Sequence, residues 1–312
     1  MFKTFSWLLV AAILTTSLTG ASPSSANSIT WPESVDLPAG SPSSNTEQDV
    51  SRALIAAMKQ NKLAPDITPA LKLADARSII YSDRCMEQRG QTYRPNCVYG
   101  DPNGENTIWL IGDSHAAQWF YAVNDYAKSK GFRLVVHAKS SCQPQVQSNN
   151  KWNFPACAGF NEWLLHAVSE AKPDVLVVGL YSGILKLIEP NVLHRLSSLA
   201  GFAAKTVLIG DTPKRAKYPP TCLRQNSDDV HFCDTQESKA FDAKMTVDTQ
   251  TWARNNHAKY MDVRNWFCIK GECPATVGNL MLFRDFTHIT GVAATWYSKV
   301  FSHQMDEDLQ AR

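Results

Sequence analysis

The chain has 312 residues, 44% of them hydrophobic, which is enough for a sizeable core in one large domain or two small ones. Lys and Arg total 31 against 29 for Asp and Glu, giving a formal charge of +2. With no block of Lys and Arg, electrostatics excludes nucleic acid as an expected partner.

The first residues read as an export signal. Lys3 supplies the positive end, Trp7 to Leu14 the apolar centre, and "TGASPSSANS" offers small residues for cleavage after Ala21 or Ala26. The alternative is an uncleaved anchor, although the apolar stretch falls short of the ~20 residues that span a bilayer. Residues 1–26 are therefore expected to be a signal peptide, and the Ser- and Pro-rich residues 27–48 a flexible lead.

From Thr46 to Asn61 the apolar residues Val50, Leu54, Ile55 and Met58 recur at helical spacing, and Pro69 to Tyr81 predicts a second helix. Residues 49–105 thus read as a small helical extension. After residue 106 the pattern changes. The runs "TIWLI", "FRLVVHA", "PDVLVVGL", "KTVLIGD" and "KYMDV" predict five buried strands alternating with helical segments, the signature of a parallel sheet with helices on both faces. This domain is expected to span residues 106–305.

Eight cysteines lie between the predicted elements, and in an exported chain they suggest disulfides. Pairing between sequence neighbours is preferred: Cys85 with Cys97, Cys142 with Cys157, Cys222 with Cys233, and Cys268 with Cys273. Sequence alone does not fix that connectivity. Metal is the competing reading, with His231 beside Cys233 and Cys222 nearby, yet no pair has the tight C-x-x-C spacing of a zinc site.

In an open parallel sheet, ligands bind at the carboxyl ends of the strands. "GDSH" follows the first strand, "KSSCQP" the second, "YSGI" the third and "GDTPKR" the fourth. Neither G-x-G-x-x-G nor a lysine-bearing phosphate loop is present, so a nucleotide is disfavoured. The G-x-S-x-G elbow is missing too, because Ala116 stands where its second glycine would be.

A serine nucleophile needs a base. His115 adjoins Ser114 but, at the start of a helix, is expected to project away from the serine oxygen. His137 reads as a core histidine, while His166, His194, His257 and His303 fall in helical or surface patterns. His288 differs, because Asp285 precedes it by three residues in "FRDFTHIT", where the carboxylate can hold Nδ1 and leave Nε2 free.

"GDSH" and "RDFTHIT" together resemble the first and last blocks of the SGNH hydrolases, serine esterases on a flavodoxin-like three-layer α/β sandwich. The resemblance is to the SGNH domain fused in many bacterial proteins to a membrane acyltransferase-3 domain that O-acylates surface polysaccharides. "AKSSCQP" and "FCIKGECP" also resemble that domain's second-strand loop and late cysteine pair, and the likeness runs over about residues 66–303. It implies Ser114 as nucleophile, His288 as base and Asp285 as its orienting residue. The implied oxyanion donors are the backbone N–H groups of Ser114 and Ser141. Typical members carry a glycine after the second strand and an asparagine after the third, where this chain has Ser140-Ser141 and Tyr181-Ser182-Gly183. Gly183 is a candidate at the third position, and the asparagine has no obvious replacement.

The implied activity is O-acyl (acetyl) transfer to, or hydrolysis from, a cell-surface or extracellular polysaccharide through an acyl-serine. The alternative is a carbohydrate-binding accessory protein that has lost turnover. Trp152 is the candidate for stacking on a sugar or shaping an acyl pocket, while Trp119 and Phe120 are expected in the core. No cofactor or metal is expected. The implied partners are an acylated carbohydrate or acyl donor and a membrane acyltransferase, and the implied location is periplasmic or extracellular.

Overall fold

The computed structural model describes residues 35–73, 77–92, 96–144, 155–183 and 191–310. The expected signal peptide, the first residues of the expected lead and Trp152 lie outside them. The rest of the lead runs along the domain, where Pro42 O accepts from Trp296 Nε1 at 2.8 Å. Among the described residues no helix is long and apolar enough to cross a membrane.

The five expected strands are β3 (Thr107–Gly112), β4 (Arg133–Lys139), β5 (Val175–Gly179), β6 (Lys205–Ile209) and β7 (Lys259–Met261). All pair in parallel, in the order β4-β3-β5-β6-β7. Alternate side chains feed two separate cores, which is why the runs read as continuously apolar. Ile108, Leu110, Val175 and Val177 join one core; Trp109, Ile111, Leu176 and Val178 join the other.

Helices α3 (Phe120–Lys130), α7 (Gly291–Trp296) and α8 (Ser298–Gln310) cover the first face, joined by α1 (Glu47–Ala57) of the extension. Helices α4 (Pro155–Ala171), α5 (Asn191–Ala200) and α6 (Ala243–Asn255) cover the second. Trp119 and Phe120 are buried in the first core, as their helical position predicts.

The extension departs from the helical expectation. Among its described residues, the segment 69–81 contributes only two short 3-10 turns, Leu71–Leu73 and Ile79–Tyr81. Tertiary bonds claim the polar groups at both ends of the segment: Thr68 exchanges backbone bonds with Asn279 and Met281, and the Ser78 hydroxyl donates to Ala117 O at 3.2 Å. Two short strands, β1 (Met86–Glu87) and β2 (Val98–Gly100), extend the sheet along β4, the first parallel and the second antiparallel. In that way the extension reaches the site, because Ser140 N donates to Glu87 O at 2.8 Å just beyond β4. Below it the buried Lys139 ammonium meets the Glu87 carboxylate at 2.9 Å.

All four neighbour pairs of cysteines are disulfides. Cys85 bonds Cys97 with Cα atoms 5.8 Å apart, which ties the short strands β1 and β2 together beside β4. Cys142 bonds Cys157 at 5.4 Å, Cys222 bonds Cys233 at 5.7 Å, and Cys268 bonds Cys273 at 4.1 Å. Among the described residues no group of His, Cys, Asp and Glu could hold a metal ion. His231 instead bonds Asp234 at 2.9 Å.

Candidate active site

The first βα turn explains the sequence Gly-Asp-Ser-His. Gly112 has φ +136, and a Cβ there would stand 2.0 Å from Gly179 O on the neighbouring strand. A Cβ on Gly179 would in turn stand 2.6 Å from Ala116 Cα, so two glycines let helix α2 (Ser114–Gln118) settle directly onto the strand ends. Asp113 caps that helix, its Oδ1 accepting from His115 N at 2.7 Å. Its Oδ2 accepts from Tyr181 N at 3.1 Å and from Gln143 Nε2 at 3.0 Å. One carboxylate thus ties together the loops after β3, β4 and β5. Burial pushes its pKa up, against the pull of His115 and the donated N–H bonds.

Ser114 is the first residue of α2 and is half-buried. Its Oγ lies 2.8 Å from His288 Nε2, although 174 residues separate them in the chain. The Nδ1 of His288 lies 2.9 Å from each oxygen of Asp285. Asp285 Oδ1 also accepts from the N–H groups of Thr287 and His288, at 2.8 and 2.9 Å, so D-x-x-H closes on itself as one turn. Arg284 N donates to His288 O and Thr290 N to Leu282 O, pinning both arms of the loop.

These contacts define the protonation states. Burial raises the Asp285 pKa, but the bond from His288 and the charges of His288 and Arg284 outweigh it and hold the carboxyl well below the usual range. Burial is the largest influence on His288. With repulsion from His115 and Arg284 it overcomes the bond to Asp285 and brings the imidazole down to about 4. Neutral His288 with Nδ1–H on Asp285 leaves Nε2 as an acceptor for the serine hydroxyl. The arrangement can take a proton from Ser114 as its oxygen attacks an electrophile.

His115, expected to project away from the serine oxygen, aims its Nδ1 at another carboxylate and packs beside His288. Its ring lies 4.7 Å from that of His288 and stacks on Tyr181 at 4.7 Å. Its Nδ1 meets Asp211 Oδ1 at 2.6 Å. Burial opposes the cation, but Asp211 outweighs it, with further help from Asp113 and Asp285, and the His115 pKa is raised. Gln118 completes this second network: its Oε1 accepts from Ile289 N at 2.8 Å and its Nε2 donates to Thr212 Oγ1 at 3.3 Å. The Thr212 hydroxyl donates to Thr287 O at 2.9 Å. Sequence reasoning missed Asp211 and Gln118. The one available signal was the place of "GDTPKR" at a strand's carboxyl end.

Of the residues expected to donate to an oxyanion, Ser141 follows β4 with φ +56. Neither its N–H nor that of Ser114 has an acceptor among the described residues. Gly183 packs against Tyr181, whose hydroxyl would stand 2.5 Å from a Cβ at that position. The other histidines lie elsewhere: His137 sits between Trp109 and Trp163, and His166 and His303 pair with Glu170 and Glu307.

A parallel three-layer α/β sandwich with Ser, His and Asp brought together at its strand ends defines a class, that of the SGNH hydrolase fold. The family model described as "SGNH domain (fused to AT3 domains)" matches residues 84–303, and the chain belongs to that family. Among solved structures, the periplasmic domain of a lipopolysaccharide acetyltransferase from Salmonella ser. Paratyphi A aligns with a TM-score of 0.55 at 13% identity, covering 77% of this chain and 97% of that one. A carbohydrate acetylesterase family member from Sinorhizobium meliloti aligns at 0.42 and 11% identity, covering 66% and 100%. No curated protein matches the sequence.

Proposed function

We propose that the protein is a serine-dependent acyl-ester enzyme that transfers an acetyl group to, or removes it from, an exported polysaccharide. The observation that carries this reading is the 2.8 Å contact between Ser114 Oγ and His288 Nε2, with Asp285 on the opposite ring nitrogen. Family membership and a lipopolysaccharide acetyltransferase among the similar folds support the choice of an acyl ester.

In the proposed reaction Ser114 Oγ attacks the ester carbonyl carbon while its proton passes to His288 Nε2. The N–H groups of Ser114 and Ser141 donate to the oxyanion. The bond to the departing alkoxide then breaks, that oxygen takes the proton from His288, and an acyl-serine remains. A water or a glycan hydroxyl, deprotonated by His288, attacks the acyl-serine, and as the acyl–oxygen bond breaks His288 returns the proton to Ser114 Oγ. Asp285 orients the imidazole and stabilises its charged form without accepting the proton. Ser114, His288 and Asp285 are thus assigned as catalytic set and orienting residue, with residues 106–305 as the catalytic domain.

Four disulfides support folding in an oxidising compartment, and so a periplasmic or extracellular site of action. A membrane acyltransferase is the proposed source of the acyl group when the reaction runs as transfer. Mass spectrometry of the surface polysaccharide with and without the gene tests the function: more ester on deletion identifies an esterase, less identifies a transferase. Unchanged ester would refute both.

A further inference from the structure

Beside the His288 loop the surface is aromatic and cationic at once. Phe286, two residues before His288, is 47% exposed, and its ring meets that of Tyr218, 39% exposed, edge-on at 5.6 Å. Next along the surface, the Lys217 ammonium lies 3.7 Å from the ring centre of Phe232, which is 53% exposed. Among the described residues Phe202 is the one other exposed aromatic ring. Such a cluster is costly to leave in water and marks a contact surface. At most about 7 Å of chain separates the Cα atoms of Phe286 and His288, so Phe286 stands on the loop that carries the proposed base.

A cavity of about 390 Å³ opens at Phe286, lined also by Lys214, Arg215, Ala216, Thr235 and Lys239. Three of these six residues are cationic and none is acidic. Lys214 and Lys239 are exposed and have no carboxylate partner among the described residues. Arg215 is 2% exposed, and its guanidinium donates to Cys273 O and Cys233 O at 2.8 and 2.9 Å. Its Nε–H is buried with no acceptor among the described residues. The guanidinium lies over the Phe283 ring at 4.4 Å, beneath the cavity. Arg215 N also donates to Phe286 O at 2.7 Å, which ties the cavity floor to the His288 loop.

We propose that this cavity is a subsite for an anionic monosaccharide unit of the glycan on which the serine acts. The sugar ring's C–H face lies on Phe286 and Tyr218, and its carboxylate or phosphate lies between Lys214 and Lys239. The concave, acid-free lining at the loop that carries His288 fits a charged sugar better than a flat bilayer surface. The inference rests on the reading of the protein as a glycan acyl-ester enzyme and adds the charge of the substrate.

Titration calorimetry on the Ser114→Ala protein tests it without turnover. Tetragalacturonate, mannose 6-phosphate and the neutral galactotetraose are compared, along with vesicles of phosphatidylglycerol. At least one anionic sugar should bind about tenfold more tightly than the neutral one, the value of one charge-assisted hydrogen bond. Which of the two it is identifies carboxylate or phosphate. In Lys214→Ala/Lys239→Ala, whose changes are confined to exposed side chains, that preference should disappear. Equal affinity for neutral and anionic sugars, or no binding of any sugar, would overturn the proposal. Lysine-dependent binding of the vesicles alone would overturn it in favour of a membrane contact. A wild-type serine that forms an acyl adduct, in a protein that binds no anionic sugar, sinks the subsite and leaves the proposed function standing. Binding without acylation does the reverse.

Discussion

His115→Asn removes a buried cation from beside the proposed base, and its effect follows from one distance. The two rings are 4.7 Å apart. A unit charge at that separation acts with roughly 3.5 kcal/mol at an effective dielectric constant of about 20, and roughly 0.9 kcal/mol at about 80. These limits correspond to about 2.6 and 0.6 pH units. The sign is fixed by the proposed role of His288, which must be neutral to accept the serine proton. Its pKa of about 4 is depressed partly by His115, so kcat/KM should fall only as pH drops through that value. Removing the cation raises the pKa and moves the acid limb upward, by an amount between the two limits. Removing Asp211 as well, in His115→Asn/Asp211→Asn, deletes an opposite charge too and should shift the limb less. Hydrolysis of a soluble acetyl ester across the acid and neutral range reads both variants. An acid limb that stays in place while activity falls equally at every pH would reduce His115 to a packing residue and refute the electrostatic argument.

Asp285→Asn should leave the circular dichroism spectrum intact while kcat falls by about 10⁴, because the amide no longer holds Nδ1–H and the wrong tautomer competes. Gln118→Ala strips the acceptor from Ile289 N and should lower stability by about 1–3 kcal/mol in urea titrations. Breaking Cys142–Cys157 by substitution opens a loop of 15-residue separation behind Ser141 and should cost about 3 kcal/mol by the same measurement. An unchanged midpoint in either variant would contradict the role assigned to that contact.

The parts of the fold legible in the sequence were those with strong local patterns. Five apolar runs became five parallel strands because the sheet's centre is buried on both faces, which leaves such runs little alternative. Cysteine neighbours such as Cys85 and Cys97 paired because the loops that carry them are short. Pro69 to Tyr81 misled, since its leucine and isoleucine spacing fits a helix while Thr68 and Ser78 bond outside the segment. Strands of two and three residues, β1 and β2, are too short to leave a period. Within the site, Asp285 was readable because it is three residues from His288 on one turn. Asp211 was not, being 96 residues from the His115 that it holds. A nearby aspartate leaves a spacing in the sequence, whereas a partner delivered by another strand leaves none.

The central claim is that Ser114 is a nucleophile activated by His288. Intact-protein mass spectrometry after exposure to a fluorophosphonate tests it most directly. The account predicts one phosphonyl adduct on the wild type, mapped by digestion to Ser114, and no adduct on Ser114→Ala or on His288→Ala in the same time. Labelling of Ser114→Ala at the wild-type rate, or failure of the folded wild type to label at all, would contradict it.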